Sequence, residues 1–251
     1  MKKNLPAILL LALLFGAWEF AVRAGFVPPY LLPAPSTVAS TLWNDFGSFA
    51  DAWLFTLKVT LGALALACLS GVLGAAAFAL SPLLERTLMP LAIGLQVTPL
   101  VAIAPLILIY VDSPAAALLI CAWVVAFFPI LASTLAGLRA TDAGLNELFQ
   151  LYRASRWQRL RWLLLPGSAP YFITGLRTGA GLALIGAVVA EFAAGAAGSQ
   201  TGLASRMLEA MFRTDMPRMF ASLTLVIVTG LLLYLAVGLL ERLWIGRWHG
   251  R

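Results

Sequence analysis

Ionisable side chains are scarce in this chain, and their scarcity narrows the chemistry it can perform. Of its 251 residues, 61% are hydrophobic and only 11% are charged. Glu19 and Glu191 each interrupt an apolar run, where a carboxyl group could take up and release protons. His249 is the sole histidine and lies beside the C-terminus, which removes most histidine-catalysis and metal-site readings. The lysines are Lys2, Lys3 and Lys58, and none follows the glycine-rich turn of a P-loop, so the chain lacks that route to ATP hydrolysis. Cys68 and Cys121 lie inside apolar runs and read as small buried side chains rather than a disulfide framework. With no nucleophile–base pairing or ligand cluster in the apolar runs, no catalytic residue and no metal ligand is assigned. What remains is a basic cluster: Arg153, Arg156, Arg159 and Arg161, set between apolar stretches.

The elements that carry these residues are spans. A soluble domain typically has about a quarter charged residues, so this chain is built for lipid. Crossing a bilayer takes about 20 apolar residues, and six stretches qualify: 5–22, 52–80, 87–110, 115–138, 171–194 and 219–245. The first follows Lys2 and Lys3 like a signal peptide, but Glu19 and Arg23 spoil the approach to cleavage and it reads as an uncleaved span. The fold class expected is all-α, a single polytopic membrane domain over 1–251.

Arginine and lysine set the orientation. Segment 24–51 has neither, whereas 139–170 carries five arginines. The positive-inside rule then places that loop and both termini in the cytoplasm. The net charge of +6 thus records orientation rather than a nucleic-acid partner. Segment 195–218 conflicts, since it falls outside yet holds Arg206, Arg213 and Arg218. Prolines before Ser36 and Thr37 make those residues a candidate cap for a short interfacial helix. Leu203, Met207 and Met211 mark another.

Two spans show rows of small residues four apart. Ala63, Ala67, Gly71, Ala75 and Ala79 form one; Gly175, Gly179, Ala183 and Ala187 form the other, with Glu191 next in line. Such rows let backbones approach closely, or they reflect abundant alanine and glycine. The third span carries Pro90, Pro99 and Pro105, and is either kinked or a pathway wall at Pro99 and Pro105. Glu191 faces a polar interior or sits hydrated near the outer interface.

In the basic loop, Leu145, Leu148, Phe149 and Tyr152 recur at helical spacing. Ser155 and Gln158 form a capping box that starts a second helix at Arg156. On it Trp157, Leu160 and Leu164 share a face, and Pro166 is expected to end it. A topology anchor needs no such apolar stripes and no cap. A helix pair with apolar faces and a basic rim fits a groove on a partner protein.

These residues carry a family resemblance. The run from Glu147 to Leu165-Pro166 resembles the cytoplasmic EAA motif of binding-protein-dependent ABC importer permeases. "ASRWQ" (154–158), "PYFITGLR" (170–177) and "VVAEF" (188–192) resemble the branch handling nitrate, sulfonates, taurine and thiamine-precursor pyrimidines. "LPAPS" (32–36), "APLILIY" (104–110) and "FFPIL" (127–131) fit the same branch. There are departures. Leu148 and Phe149 replace the paired alanines, Tyr110-Val111-Asp112 lacks a glycine common in relatives, and Arg153 replaces the motif glycine. Arginine disfavours positive φ, so the turn is expected to close differently or to dock differently.

The resemblance implies a permease homodimer in the bacterial inner membrane, driven by separate ABC ATPase subunits and fed by an extracytoplasmic solute-binding protein. It implies no cofactor on this chain, with ATP and Mg on the partner. It assigns ATPase coupling to Glu147, Arg153, Ala154, Ser155, Arg156, Trp157, Arg159, Leu160 and Pro166. The competing expectation is an ion-coupled carrier using Glu19 and Glu191.

Overall fold

A computed structural model describes residues 5–195 and 201–244. Lys2, Lys3, Ile245, Arg247, His249 and Arg251, on which the orientation and the last span boundary partly rest, lie outside the described residues. Every regular element among the described residues is helical, as expected: α1 (Leu5–Arg23), α2 (Pro35–Asn44), α3 (Phe46–Leu80), α4 (Pro82–Val97), α5 (Leu100–Tyr110), α6 (Pro114–Arg139), α7 (Ala143–Leu151), α8 (Arg156–Arg159), a π segment (Leu160–Leu164), α9 (Leu165–Ala194), α10 (Leu203–Phe212) and α11 (Met216–Trp244). Five stretches are each long and apolar enough to span a membrane: α1, α3, α6, the run Arg156–Ala194, and α11.

The third expected span, 87–110, is not one rod. It divides into α4 and α5, bent by 102°. Pro99 offers no N–H to the Leu95 carbonyl, and a residue before proline prefers extended backbone. Thr98 adopts that conformation, with φ −69 and ψ 126. Pro90 and Pro105 are instead tolerated inside α4 and α5.

Pro166 also departs from expectation. It does not end the basic helix, because α8, the π segment and α9 run on without interruption. Leu165 donates its N–H to the Leu160 carbonyl, five residues back. A proline ring clashes with the carbonyl four residues behind it, and the wider π turn takes that carbonyl out of its path.

The chain's contacts form two compact units. One comprises Met1–Phe55 and Gly195–Val228. Its core gathers Val38, Phe49, Ala52, Leu203, Ala221 and Leu225. Pro35 opens α2 behind Ala34, which is the N-cap residue; Ser36 and Thr37 are not. Ser36 has another duty: its N–H and hydroxyl donate to Glu19 at 3.0 and 2.7 Å, while Arg23 also binds Glu19 at 2.5 Å. The three arginines that strained the positive-inside map are paired within this unit. Arg206 and Arg213 meet Glu209, and Arg218 meets Asp45 and Asp215.

The other unit, Thr56–Ala194 and Thr229–Arg251, is built around α6. Both small rows press against it. A β-carbon added at Gly71 would lie 2.9 Å from Ile130 Cγ2, one at Gly175 2.8 Å from Ser133 Cβ, and one at Gly179 2.8 Å from Ile130 Cδ1. The rows are packing faces, not accidents of composition, since bulkier residues could not sit there.

Candidate functional site

The basic loop folds as two short helices around a tight turn. Asp142 caps α7 by accepting from the Leu145 N–H at 3.0 Å. The helix then closes in a Schellman motif: Ala154 N–H reaches the Phe149 carbonyl and Arg153 N–H the Gln150 carbonyl, both at 2.9 Å. That motif needs a left-handed residue after the cap, and Arg153 supplies it at φ +52. Of the two alternatives for Arg153, a turn that closes without this conformation is therefore not the one adopted. The closing hydrogen bonds hold Arg153 there, against a cost of about 1–2 kcal/mol for a side chain with a β-carbon. Ser155 and Gln158 then form the expected reciprocal capping box, with bonds of 3.2 and 2.8 Å.

The apolar stripe divides in two. Trp157 is 64% exposed, and Leu148, Leu151 and Tyr152 are exposed beside it in sequence. Leu160, assigned with Trp157 to a partner's groove, is 1% exposed and packs with Leu163 and Leu164 against Ala75, Leu131, Leu135 and Leu138. It belongs to this chain's own core. Helical periodicity put Leu160 and Trp157 on one face, but at Leu160 the rod has already entered the bundle. Glu147, Arg153, Ser155 and Arg156 are exposed, whereas Ala154, Arg159 and Pro166 are half-buried.

The α4–α5 break makes a second feature. A cavity of about 320 Å³ is walled by Gln96, Thr98, Pro99 and Ile103 at the break, by Val124 and Val125 from α6, and by Leu182 from α9. Those α6 and α9 residues lie midway along their helices. The cavity wall carries no ionised side chain. Pro99 was expected at such a wall; Pro105 lies within α5 and is not part of it. Gln96 was missed by sequence reasoning, although a lone amide three residues before a proline in an apolar span was a readable signal. An exposed amide and non-helical backbone at mid-span are tolerated where they line a cavity or meet protein.

Glu191 is buried at 1% exposure and accepts a 2.7 Å hydrogen bond from the Thr56 hydroxyl. The hydrated-interface alternative does not hold. Neither does a place in the wall of the cavity at the break, for Glu191 ties α9 to α3 instead. The carrier reading also loses its other carboxylate, because Glu19 is held by Arg23 and Ser36.

Comparison with known proteins agrees with this architecture. Residues 63–246 match the family model described as the binding-protein-dependent transport system inner membrane component. The riboflavin transport system permease protein of Chloroflexus aurantiacus is 35% identical over 249 residues, covering 98% of this chain and 90% of that one. The formylaminopyrimidine transport permease protein of Halalkalibacterium halodurans is 30% identical, covering 97% of each. The taurine transport system permease protein of Escherichia coli is 29% identical, over 96% of this chain and 88% of its own length. In fold, the chain is similar to a solved amino acid ABC transporter structure with a TM-score of 0.64, at 17% identity, over 80% of this chain and 96% of that one. The chain belongs to the family of binding-protein-dependent transport system inner membrane components, the permease subunits of ABC transporters for small solutes.

Proposed function

We propose that this chain is one transmembrane permease domain that pairs with a second copy and passes an uncharged heterocyclic solute by alternating access. Separate ATPase subunits carry ATP and Mg, and an extracytoplasmic solute-binding protein delivers the solute. The basic loop and both termini lie in the cytoplasm. The observation that carries the coupling reading is the exposed Trp157 with Leu151 and Tyr152 beside a rim of Arg153 and Arg156. Those residues sit on a doubly capped turn joined by continuous helix to α9. An exposed aromatic crest on so rigid a mount suits a protein groove.

The solute class follows from the cavity at the break. Its wall offers an amide, aliphatic surface and the ends of two helices, which suits a flat molecule with both donors and acceptors. Of the solutes named for the relatives, riboflavin and formylaminopyrimidine fit such a wall. Taurine would bring a sulfonate to a site with no cation.

The test is the complex reconstituted in proteoliposomes, with ATP-driven uptake and ATPase co-purification measured together. Truncating an interface anchor commonly costs ~2 kcal/mol, so Trp157→Ala should weaken ATPase binding about thirtyfold. Gln96→Leu should impair uptake at unchanged ATPase binding. Full binding by Trp157→Ala would overturn the docking assignment, and uptake of taurine in preference to flavin or pyrimidine would overturn the solute class.

A further inference from the structure

A cavity of about 500 Å³ opens at the end of the bundle that carries the basic turn, apart from the cavity at the break. Glu85, Arg86, Arg139, Asn146 and Arg159 contribute its polar wall. Ala79 and Pro82 contribute an apolar one, backed by the buried Phe78, Leu138 and Leu164. Arg139 pairs with Glu85. Neither Arg86 nor Arg159 has a carboxylate partner among the described residues, which leaves two positive charges in excess.

A cation on an open surface is simply hydrated, but Arg159 is not in that position. Its Nε is buried and has no hydrogen-bond partner. A buried donor without an acceptor is costly, and a guanidinium carries five donors in a fixed fork suited to phosphate oxygens. The site therefore suits an anion with several acceptor oxygens.

Depth and shape narrow the source. The wall is formed where α3 and α6 end and α4 begins, which is where spans leave the hydrocarbon and lipid phosphates lie. An apolar wall next to guanidinium groups matches an amphiphile. A bare phosphate, or a carboxylate from a protein, would leave the uncovered Ala79 and Pro82 without a counterpart.

We propose that this cavity binds an anionic phospholipid, its phosphate against Arg86 and Arg159 and its upper acyl segment along Ala79 and Pro82. The proposal rests on the permease reading only for the membrane around the chain. Its readout is binding to the permease alone, so failed transport or ATPase coupling would leave it standing.

Purified permease in nanodiscs containing both phosphatidylglycerol and phosphatidylcholine would be analysed by native mass spectrometry. Each basic residue near an anionic headgroup contributes a factor of about five. The unaltered protein should thus retain phosphatidylglycerol over phosphatidylcholine by roughly 25-fold. Arg86→Gln should cost about fivefold of that preference and Arg86→Lys little. Absence of preference in the unaltered protein overturns the site without reliance on any variant. Equal retention by Arg86→Gln overturns the assigned residue. Inorganic phosphate retained in place of lipid points to a soluble anion and also overturns the proposal.

Discussion

Replacing Gly186 by alanine tests the close approach of α6 and α9 most directly. A β-carbon there would stand 2.8 Å from Ala122 Cα, with the Ala122 and Cys121 carbonyl oxygens each at 3.5 Å. The first contact is roughly 0.7 Å inside the ordinary carbon–carbon separation of about 3.5 Å. What it meets is backbone, which no rotamer change can clear. Overpacking of this kind costs about 1–3 kcal/mol, and a rigid neighbour puts the cost near the top of that range. Alanine in a helix interior returns ~1 kcal/mol relative to glycine. The net expectation is a loss of about 2 kcal/mol. Gly181, on the same helix, has nothing within 4 Å of its would-be β-carbon. Gly181→Ala should therefore gain up to ~1 kcal/mol. Unfolding of the two purified variants in mild detergent with graded SDS measures the difference, expected at about 3 kcal/mol. If Gly186→Ala proves as stable as Gly181→Ala, the close approach of Gly186 to the Ala122 backbone is not what holds α9 to α6.

Arg153→Gly should stabilise the turn by about 1 kcal/mol by relieving a left-handed residue with a β-carbon, read as a higher melting temperature with ATPase binding retained. Leu160→Ala should cost about 2–5 kcal/mol of permease stability, as expected for truncating a buried leucine, with any ATPase that binds the folded fraction doing so normally. Trp157→Ala should show the opposite pattern, and a comparison of melting and pull-down separates them. Glu191→Leu removes the buried hydrogen bond between the Thr56 hydroxyl and Glu191, so it should lower stability as well as uptake; uptake lost at unchanged stability would point to a direct role in the pathway.

Much of this was legible in the sequence because lipid leaves few choices. Apolar length gave the spans, and spacing by four gave the rows that meet Ile130 and Ser133. Capping chemistry gave the start of the second helix, at Ser155 and Gln158. What failed did so where backbone geometry overrode residue preference. Pro166 was read as a stop, but a π turn upstream accommodates it. Arg153 disfavours positive φ, which left a differently closed turn as one alternative, but two closing hydrogen bonds hold it there. Leu160 shared a periodic face with Trp157, and periodicity cannot say where along a helix its surroundings change from an exposed crest to a packed core. Gln96 stood alone in a hydrophobic span, and only the 102° bend shows what an amide is for at that point.

The π segment has one more consequence, in azimuth. It amounts to one surplus residue in an otherwise α-helical shaft, and each residue advances a helix by about 100°. The bearing of Trp157 about the shaft is thus offset by about that angle from the bearing an unbroken α-helix would give it over the glycine row of α9. Deleting one exposed residue of the segment, Arg161 or Trp162, would remove the offset and swing the crest around the axis, turning Leu160 out of its core contacts while α9 keeps its register. The direction in which this permease presents its crest is set by how many residues stand in that one turn, not by which residues they are.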